Sequence, residues 1–207
     1  MMNGKFISIE GVEGAGKSTQ ISFIHDYLVE KGKTFVMTRE PGGTELSEKI
    51  RELLLTPSEL AMGVDTELLL MFAARAEHIK QLIAPALARG DWVLCDRFVD
   101  ATFAYQGGGR GVDQQRIQQL ADWTLKDLLP TLTLLFDLPV ELGLKRVVER
   151  NEAIDRFEQE KVTFFEQIRA SYLESALQNP ERIKVVDASV SIPEIQQQLT
   201  KLLSPLL

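Results

Sequence analysis

Hydrophobic positions recur along this chain with two different periods. Short apolar runs predict buried β-strands at residues 5–10, 34–38, 91–96, 131–138 and 182–187. Apolar residues spaced three to four apart predict amphipathic helices at residues 17–31, 46–55, 66–89, 113–129, 140–150, 159–178 and 193–203. Pro85 is expected to kink or divide the third helix near its end. Strands that alternate with helices predict a parallel sheet covered by helices on both faces.

The remaining stretches, 41–44, 56–64, 106–112 and 151–158, lack either period and are predicted to be irregular. The sequence contains no repeat, low-complexity tract or linker, so we expect one α/β domain over residues 1–207. In such a sheet, ligands bind at the carboxyl ends of the strands. The residues that end each strand are therefore the first candidates for a functional site.

Composition narrows the class of protein. The chain has 207 residues, 44% hydrophobic and 26% charged, which is ordinary for a soluble globular protein. A formal net charge of −7 argues against binding to duplex nucleic acid. No run approaches the ~20 apolar residues of a membrane span, and the first residues do not resemble a signal peptide. The single Cys95 lies in an apolar run and fits a core thiol. We expect a cytoplasmic protein without nucleic-acid or membrane partners.

Residues 11–18 match the phosphate-binding pattern G-x-x-x-x-G-K-[ST], between a predicted strand and a predicted helix. The glycines let backbone N–H groups approach phosphate oxygens, and the helix start adds its positive dipole end. Lys17 is expected to contact the β- and γ-phosphates of ATP, and the Ser18 hydroxyl to bind Mg²⁺. The residues predicted to bind ATP are Gly11, Val12, Glu13, Gly14, Ala15, Gly16, Lys17, Ser18 and Thr19.

The phosphate-binding loop, called the P loop below, does not identify the phosphoryl acceptor. The N-K-x-D motif of GTPases and the L-S-G-G-Q signature of transporter ATPases do not occur in the sequence. A small-molecule kinase is therefore favoured. Two alternatives stay open: a kinase with an acceptor such as dUMP, a deoxynucleoside or a small metabolite, and a P-loop switch that hydrolyses ATP to control a protein partner.

Charged residues follow the second and third predicted strands. The Arg39 guanidinium could bind an anionic acceptor, although a surface ion pair with Glu40 or Glu45 would explain it equally well. Asp96 ends the third strand, where P-loop enzymes hold a carboxylate on the magnesium side of the site. Arg97 beside it could bind an acceptor phosphate, and a structural salt bridge is the alternative.

Three polar or aromatic groups are candidates for binding a base. Phe72 and Arg75 share a face of the long helix, so a ring could stack on a base while a guanidinium donates to its carbonyl. A phenylalanine of this kind is more often simply part of the core. Gln106 offers the donor and acceptor that a pyrimidine edge requires. The glycine run at 107–111 does not join a strand to a helix, so a dinucleotide-binding loop is rejected.

A charged stretch at about 146–158 separates two late helices and contains Arg146, Arg150 and Arg156. This is where a closing lid is expected, and a lid arginine could reach the transferred phosphoryl group. A solvated helix edge is the simpler interpretation of the same residues.

Taken together, the segments 10–19, 38–44, 96–97 and 104–111 resemble the bacterial thymidylate kinase family, nearly from end to end. The T-R-E-P-G-G and A-Y-Q-G elements are far more specific than the P loop. The resemblance implies a five-stranded parallel sheet of the nucleoside monophosphate kinase class and a homodimer. It also implies transfer of the γ-phosphoryl group of ATP to dTMP, giving dTDP.

By position, the resemblance also implies individual roles. Arg39 and Arg97 would hold the dTMP phosphate, and Glu13 would approach the sugar 3′-hydroxyl. Phe72 would stack on thymine, and Tyr105 would crowd against a ribose 2′-hydroxyl. The polar edge of thymine would face Arg75, Thr102 and Gln106.

The family places its catalytic arginine either in the P loop or in the lid. Residues 13–15 are Glu-Gly-Ala here, without an arginine, so the lid residue Arg156 is expected to be catalytic. Asp96 is expected to orient Mg²⁺ or its waters. Phe98 follows Asp96-Arg97 where many relatives carry Tyr or His. The residues expected to serve catalysis are Lys17, Arg39, Asp96, Arg97 and Arg156.

Overall fold

A computed structural model describes residues 4–58, 61–149 and 155–207. Its strands form one five-stranded sheet in the order β2-β3-β1-β4-β5, and every pairing is parallel. The strands are β1 Phe6–Gly11, β2 Phe35–Arg39, β3 Trp92–Asp96, β4 Leu132–Asp137 and β5 Ile183–Asp187. The predicted α/β class with a five-stranded parallel sheet is confirmed.

Helices connect these parallel strands. They are α1 Lys17–Glu30, α2 Glu45–Leu55, α3 Val64–His78, α4 Ala84–Ala88, α5 Val99–Thr102, α6 Gln114–Leu125, α7 Val140–Glu149, α8 Val162–Gln178 and α9 Ile192–Leu203. A short 3₁₀ turn, Ser204–Leu206, follows α9. Side chains that begin some of these helices fix their first turns: the Thr44 hydroxyl accepts from the Ser47 N–H at 3.3 Å.

Alternation along β1 divides the core into two apolar clusters, because successive strand residues point to opposite faces. Ile7 and Ile9 belong to one cluster, which includes residues of α1, α8 and α9. Phe6 belongs to the other, which includes residues of α3 and α6. Cys95 lies in this second cluster and is fully buried, and burial raises the pKa of its thiol well above the usual value. The expected core thiol is confirmed.

The long third helix continues past Pro85, where a kink or a division was expected. A π-helical turn, Ile79–Ile83, joins α3 to α4, and Pro85 lies in the first turn of α4. Proline has no N–H, so the helix loses one backbone hydrogen bond there, and a local widening accommodates the ring. Pro85 therefore neither ends nor divides the helical path.

The prediction of an irregular stretch at 106–112 is wrong for its first half. Residues Phe103–Gly109 form a π-helical continuation of α5, although glycines disfavour helices. Packing against α8 explains this. A Cβ atom on Gly108 would lie 2.6 Å from the Ser171 Cβ, and one on Gly109 would lie 2.4 Å from the Phe164 ring. The glycines let this segment approach α8 closely, and that contact outweighs their low helix propensity.

Candidate functional site

A pocket opens at the carboxyl ends of β1, β2 and β3. The residues that line it are Glu13, Glu40, Pro41, Arg51, Leu55, Met71, Arg75, Arg97, Ala101, Thr102, Tyr105, Gln106, Asp155 and Phe157. Glu13, Glu40 and Arg97 each follow one of these strands, so the topology itself brings them together.

The P loop connects β1 to α1 at one wall of this pocket. The Lys17 ammonium donates to the carbonyls of Gly11 at 3.1 Å and Val12 at 3.0 Å. Burial and the neighbouring Arg97 charge lower the pKa of Lys17 to about 8. A polyphosphate in the loop would supply the negative charge that keeps this ammonium protonated.

Gly14 fixes how closely the P loop approaches α7. Its φ of +71° lies in the left-handed region, and a Cβ atom there would lie 2.0 Å from the Gly143 carbonyl oxygen. The Arg146 guanidinium, one turn along α7, lies 3.4 Å from the Gly14 carbonyl oxygen. Among the described residues of the predicted lid, Arg146 is thus a cation that contacts the P loop.

Arg97 adopts a left-handed conformation, with φ of +66°. Such a backbone is uncommon for a residue with a side chain and marks functional positions in proteins. The guanidinium donates to the Gly11 carbonyl at 2.9 Å and to the Glu13 carboxylate at 2.8 Å. Arg97 thus contacts two residues of the P loop, and one of them, Glu13, also lines the pocket.

Glu10 supports this turn from below. Its carboxyl group is fully buried and accepts from the Phe98 N–H at 2.7 Å and the Tyr172 hydroxyl at 2.8 Å. Burial, reinforced by the negative charge of Asp100, raises the pKa of Glu10 to about 8 against the opposing charge of Arg97. Glu10 therefore holds its proton to a higher pH than an ordinary glutamate does.

Glu13 and Tyr105 form one side of the pocket. The Tyr105 hydroxyl donates to the Glu13 carboxylate, and the Arg97 guanidinium lies 4.9 Å above the tyrosine ring. Although burial opposes it, the charges of Arg97 and Lys17 lower the pKa of Glu13. The Glu13 carboxylate is thus kept ionised, and the Tyr105 ring is held at a fixed position.

Glu40 orients the base-reading candidate Arg75 from the end of β2. The Arg75 Nε donates to the Glu40 carboxylate at 2.7 Å, and its Nη2 donates to the Phe98 carbonyl at 3.1 Å. His78 contacts the second Glu40 oxygen at 3.0 Å. The Arg75 Nη1 is buried and has no hydrogen-bond partner among the described residues. Arg75, a residue of the pocket lining, therefore keeps one donor without a partner among the described residues.

Glu67 is a second buried carboxylate with several partners. It accepts from the Gln106 Nε2 at 2.8 Å, lies 3.4 Å from the Arg110 Nε and lies 2.8 Å from the Arg156 Nη2. The Arg156 Nε also donates to the Leu54 carbonyl at 2.7 Å. These contacts hold Arg156 at Glu67, and Arg156 is not among the residues that line the pocket.

Several residues predicted from the sequence meet at this pocket. They are Glu13, Arg75, Arg97, Thr102, Tyr105 and Gln106. The prediction for Phe72 is corrected: this side chain is only 4% exposed and packs in the apolar cluster between α3 and α6. Met71 lines the pocket instead, because side chains four residues apart, such as Met71 and Arg75, share the face of α3 that the pocket uses.

Arg39 is also placed differently from the expectation. Its side chain is half exposed and pairs with Glu48 at 2.8 Å, outside the pocket lining. Arg51 of α2 lines the pocket, and its Nη1 donates to the Pro41 carbonyl at 2.8 Å. Helical spacing could have predicted the inward position of Arg51, because Arg51 shares a face of α2 with the buried residues Ser47 and Leu54.

The predicted magnesium ligands are a hydroxyl group and a carboxylate. Ser18 lies exposed in the first turn of α1, and the Asp96 Oδ1 is buried without a partner among the described residues. No group of three or more His, Cys, Asp or Glu side chains in the described part of the chain could hold a metal. Mg²⁺ usually takes one or two protein oxygens with water and substrate phosphates, so this donor set fits it.

Comparisons with known proteins point to one family. A family model described as "Thymidylate kinase" matches residues 9–199. The chain is 55% identical to a thymidylate kinase of Pseudomonas savastanoi pv. phaseolicola, covering 100% of this chain and 98% of that protein. It is 56% identical to one of Vesicomyosocius okutanii, covering 100% of both. A crystal structure of a thymidylate kinase from Ehrlichia chaffeensis superposes with a TM-score of 0.76 at 33% identity, covering 97% and 98% of the two chains.

Glu10→Gln should weaken the pH dependence of stability between pH 4.5 and 8. The folded chain holds the Glu10 proton up to about pH 8, against an ordinary pKa of 4.5. The stability contributed by the protonated group is therefore complete below pH 4.5 and is lost as pH rises through 8. A neutral glutamine avoids that loss, so the variant should gain on the order of 3 kcal/mol over the native chain between pH 5 and pH 7.5, at about 1.4 kcal/mol per pH unit.

Urea unfolding of both chains at about pH 5 and about pH 7.5 measures this gain. The upper pH of 7.5 lies below the pKa of Lys17, which is about 8. Above that pKa, the titration of Lys17 changes the stability in the opposite direction. If the unfolding free energies of the variant and the native chain differ by the same amount at both pH values, the raised pKa of Glu10 is contradicted.

Proposed function

This chain belongs to the thymidylate kinase family, and from that premise we propose how its pocket and P loop carry out the family reaction. It is a dTMP kinase, which transfers the γ-phosphoryl group of ATP to dTMP and releases dTDP and ADP. We place dTMP in the pocket and the ATP phosphates in the P loop. One observation carries this arrangement: the Arg97 guanidinium contacts both the Gly11 carbonyl and the Glu13 carboxylate.

The arginines at the pocket set the position of the acceptor phosphate. We assign Arg97 and Arg51 to the dTMP phosphate, since both line the pocket and a guanidinium binds phosphate with two parallel hydrogen bonds. Arg39 would add charge from the rim: together with burial, its charge lowers the pKa of Arg51. A phosphate between them would relieve this repulsion.

The sugar and the base would contact the other pocket walls. Glu13, ionised and fixed by Arg97, would accept from the sugar 3′-hydroxyl, and the Tyr105 ring would leave no room for a ribose 2′-hydroxyl. Met71 would pack on the thymine face with its polarisable thioether. The free Arg75 donor suits a thymine carbonyl. Thr102 and Gln106 would complete the polar edge.

Phosphoryl transfer requires neutralisation of charge more than covalent chemistry. Lys17 would contact the ATP phosphates, and Ser18 with Asp96 would hold Mg²⁺, which supplies further charge neutralisation when bound. Arg156 is proposed as the catalytic arginine, and it would have to leave Glu67 and Leu54 to act. We propose that one kinase domain spans residues 1–207 with a lid at about 146–158, of which residues 150–154 lie outside the described residues.

An apolar surface on α3 and α6 supports a homodimer. Leu69 is 56% exposed and Trp123 is 76% exposed, and both line one apolar groove with Ala73, Ala76 and Leu128. Apolar patches of this kind on soluble proteins mark association sites. We propose that a second copy of the chain covers this groove, and that the enzyme is cytoplasmic. No helix in the described ranges is long and apolar enough to cross a membrane.

A panel of acceptors with ATP tests the proposed pocket contents. We expect rapid phosphorylation of dTMP and at least hundredfold lower kcat/KM for dCMP and dAMP, because a mispaired polar edge leaves buried groups without partners. A coupled ADP assay gives these ratios. Transfer to dCMP or a deoxynucleoside at the same rate as to dTMP, or hydrolysis of ATP independent of any acceptor, would refute the assignment.

Arg156→Ala should lower kcat about a thousandfold with little change in KM for dTMP, because the lost charge acts only on the transferring group. Arg146→Ala is the matched comparison, since Arg146 contacts the P loop in this structure. We expect a smaller effect for it. A large loss of kcat in Arg146→Ala with near-normal activity in Arg156→Ala would move the catalytic role to Arg146.

Trp123→Lys should convert the dimer to a monomer by placing a charge in the apolar groove. Leu177→Lys, at an apolar residue of α8 that is 82% exposed, is the matched control and should leave the dimer intact. Light scattering after size-exclusion chromatography measures both masses. A native chain that runs as a monomer at micromolar concentration would rule out the homodimer.

A further inference from the structure

We propose that Glu67 is a positioning residue that makes the pocket select thymine over cytosine, by fixing which end of the Gln106 amide faces the base. The inference rests on the proposed function, because it requires the base of dTMP to lie in this pocket. Glu67 itself does not line the pocket. It acts on the base only through Gln106.

Chemistry fixes the orientation of the Gln106 amide. The two ends of a glutamine amide are hard to distinguish by shape alone, and hydrogen-bond partners have to assign them. An ionised carboxylate has acceptors only, so the Gln106 NH₂ group must be the end that faces Glu67, at 2.8 Å. The carbonyl oxygen is then the end left for the pocket, which Gln106 lines. Within the described ranges, no group donates to this oxygen.

The Glu67 carboxylate is held in one position by burial and by its partners. It is 1% exposed, and two guanidinium groups hold its two oxygens: Arg110 lies 3.4 Å from Oε1, and Arg156 lies 2.8 Å from Oε2. Arg110 is itself fixed between Glu160 and the Phe164 ring. Arg110 pairs with Oε1, the same oxygen that Gln106 contacts, so this cation remains on the carboxylate when Arg156 leaves Oε2 to act, and the Gln106 amide keeps one orientation.

The hydrogen-bonding groups of Arg75 and Gln106 are complementary to thymine and not to cytosine. Arg75 presents the free donor of Nη1, and its other nitrogens are held by Glu40 and Phe98. Gln106 presents an acceptor. Thymine offers the complement, an acceptor at O4 and a donor at N3, whereas cytosine offers a donor at N4 and an acceptor at N3. A cytosine base would therefore meet two mismatched contacts.

The test compares dTMP with 5-methyl-dCMP, which differs from it only at the N3 and C4 edge. In the Glu67→Gln variant, the amide at position 67 can donate as well as accept, so Gln106 is free to turn its NH₂ group toward the base. We expect the ratio of kcat/KM for dTMP to that for 5-methyl-dCMP to fall about tenfold, which corresponds to ~1.4 kcal/mol. Arg75 keeps part of the discrimination.

A merely structural role predicts a different result. It would lower kcat/KM for both acceptors in parallel and leave their ratio unchanged, and that outcome would overturn the proposal. Changes in Arg156 caused by the loss of its partner also affect both acceptors alike, so the ratio cancels them. Glu160→Gln is the matched control: it removes the other carboxylate on Arg110, leaves the Glu67–Gln106 contact in place, and should keep the native ratio.

The double variant E67Q/Q106E keeps the net charge and again presents only an acceptor to the base. It should restore the preference for dTMP, and it replaces the single variant if that one fails to fold. Loss of the preference in the double variant would also overturn the proposal. Failure of the proposed function would look different, because the native enzyme would then not prefer dTMP at all.

Discussion

The pocket depends on carboxylates that are buried behind it. A carboxyl group removed from water is costly unless it is neutralised or paired, and pairing requires donors at fixed positions. Glu10, Glu40 and Glu67 are each at most 5% exposed. Each one binds groups from segments that are distant in the sequence. The hydrogen bonds and ion pairs of these carboxylates therefore form only when the segments that make the pocket come together.

This constraint explains why the donors that face the ligand are ordered without it. Two nitrogens of Arg75 donate to Glu40 and Phe98, and the third has no partner among the described residues. Arg97 holds a left-handed backbone that costs free energy, and the N–H of its neighbour Phe98 donates to the buried Glu10 carboxyl group. Groups oriented in advance lose little conformational entropy on binding, so more of each hydrogen bond contributes to affinity and selectivity.

The same constraint separates what the sequence could predict from what it could not. The P loop and the end of β3 are local patterns, and the sequence predicted where each lies in the fold. The choice between Phe72 and Met71 depends on the rotation of α3 about its axis, which packing against α6 determines. The helical conformation of the glycines at 107–109 depends on their close packing against α8. Arg39 pairs with Glu48 outside the pocket, and Arg51 lines the pocket instead. All of these are tertiary effects.

A final consequence concerns charge. The protein carries a formal charge of −7 and yet acts on two polyanions. The cations proposed to act on them are already paired in this structure: Arg97 with Glu13, Arg156 with Glu67, and Lys17 with carbonyls of the P loop. On this proposal, substrate phosphates would compete with these acceptors. A ligand that takes an arginine without replacing every contact leaves a buried carboxylate unpaired, which costs about 3–5 kcal/mol. On this proposal, the buried carboxylates at the site would make incomplete ligands unfavourable.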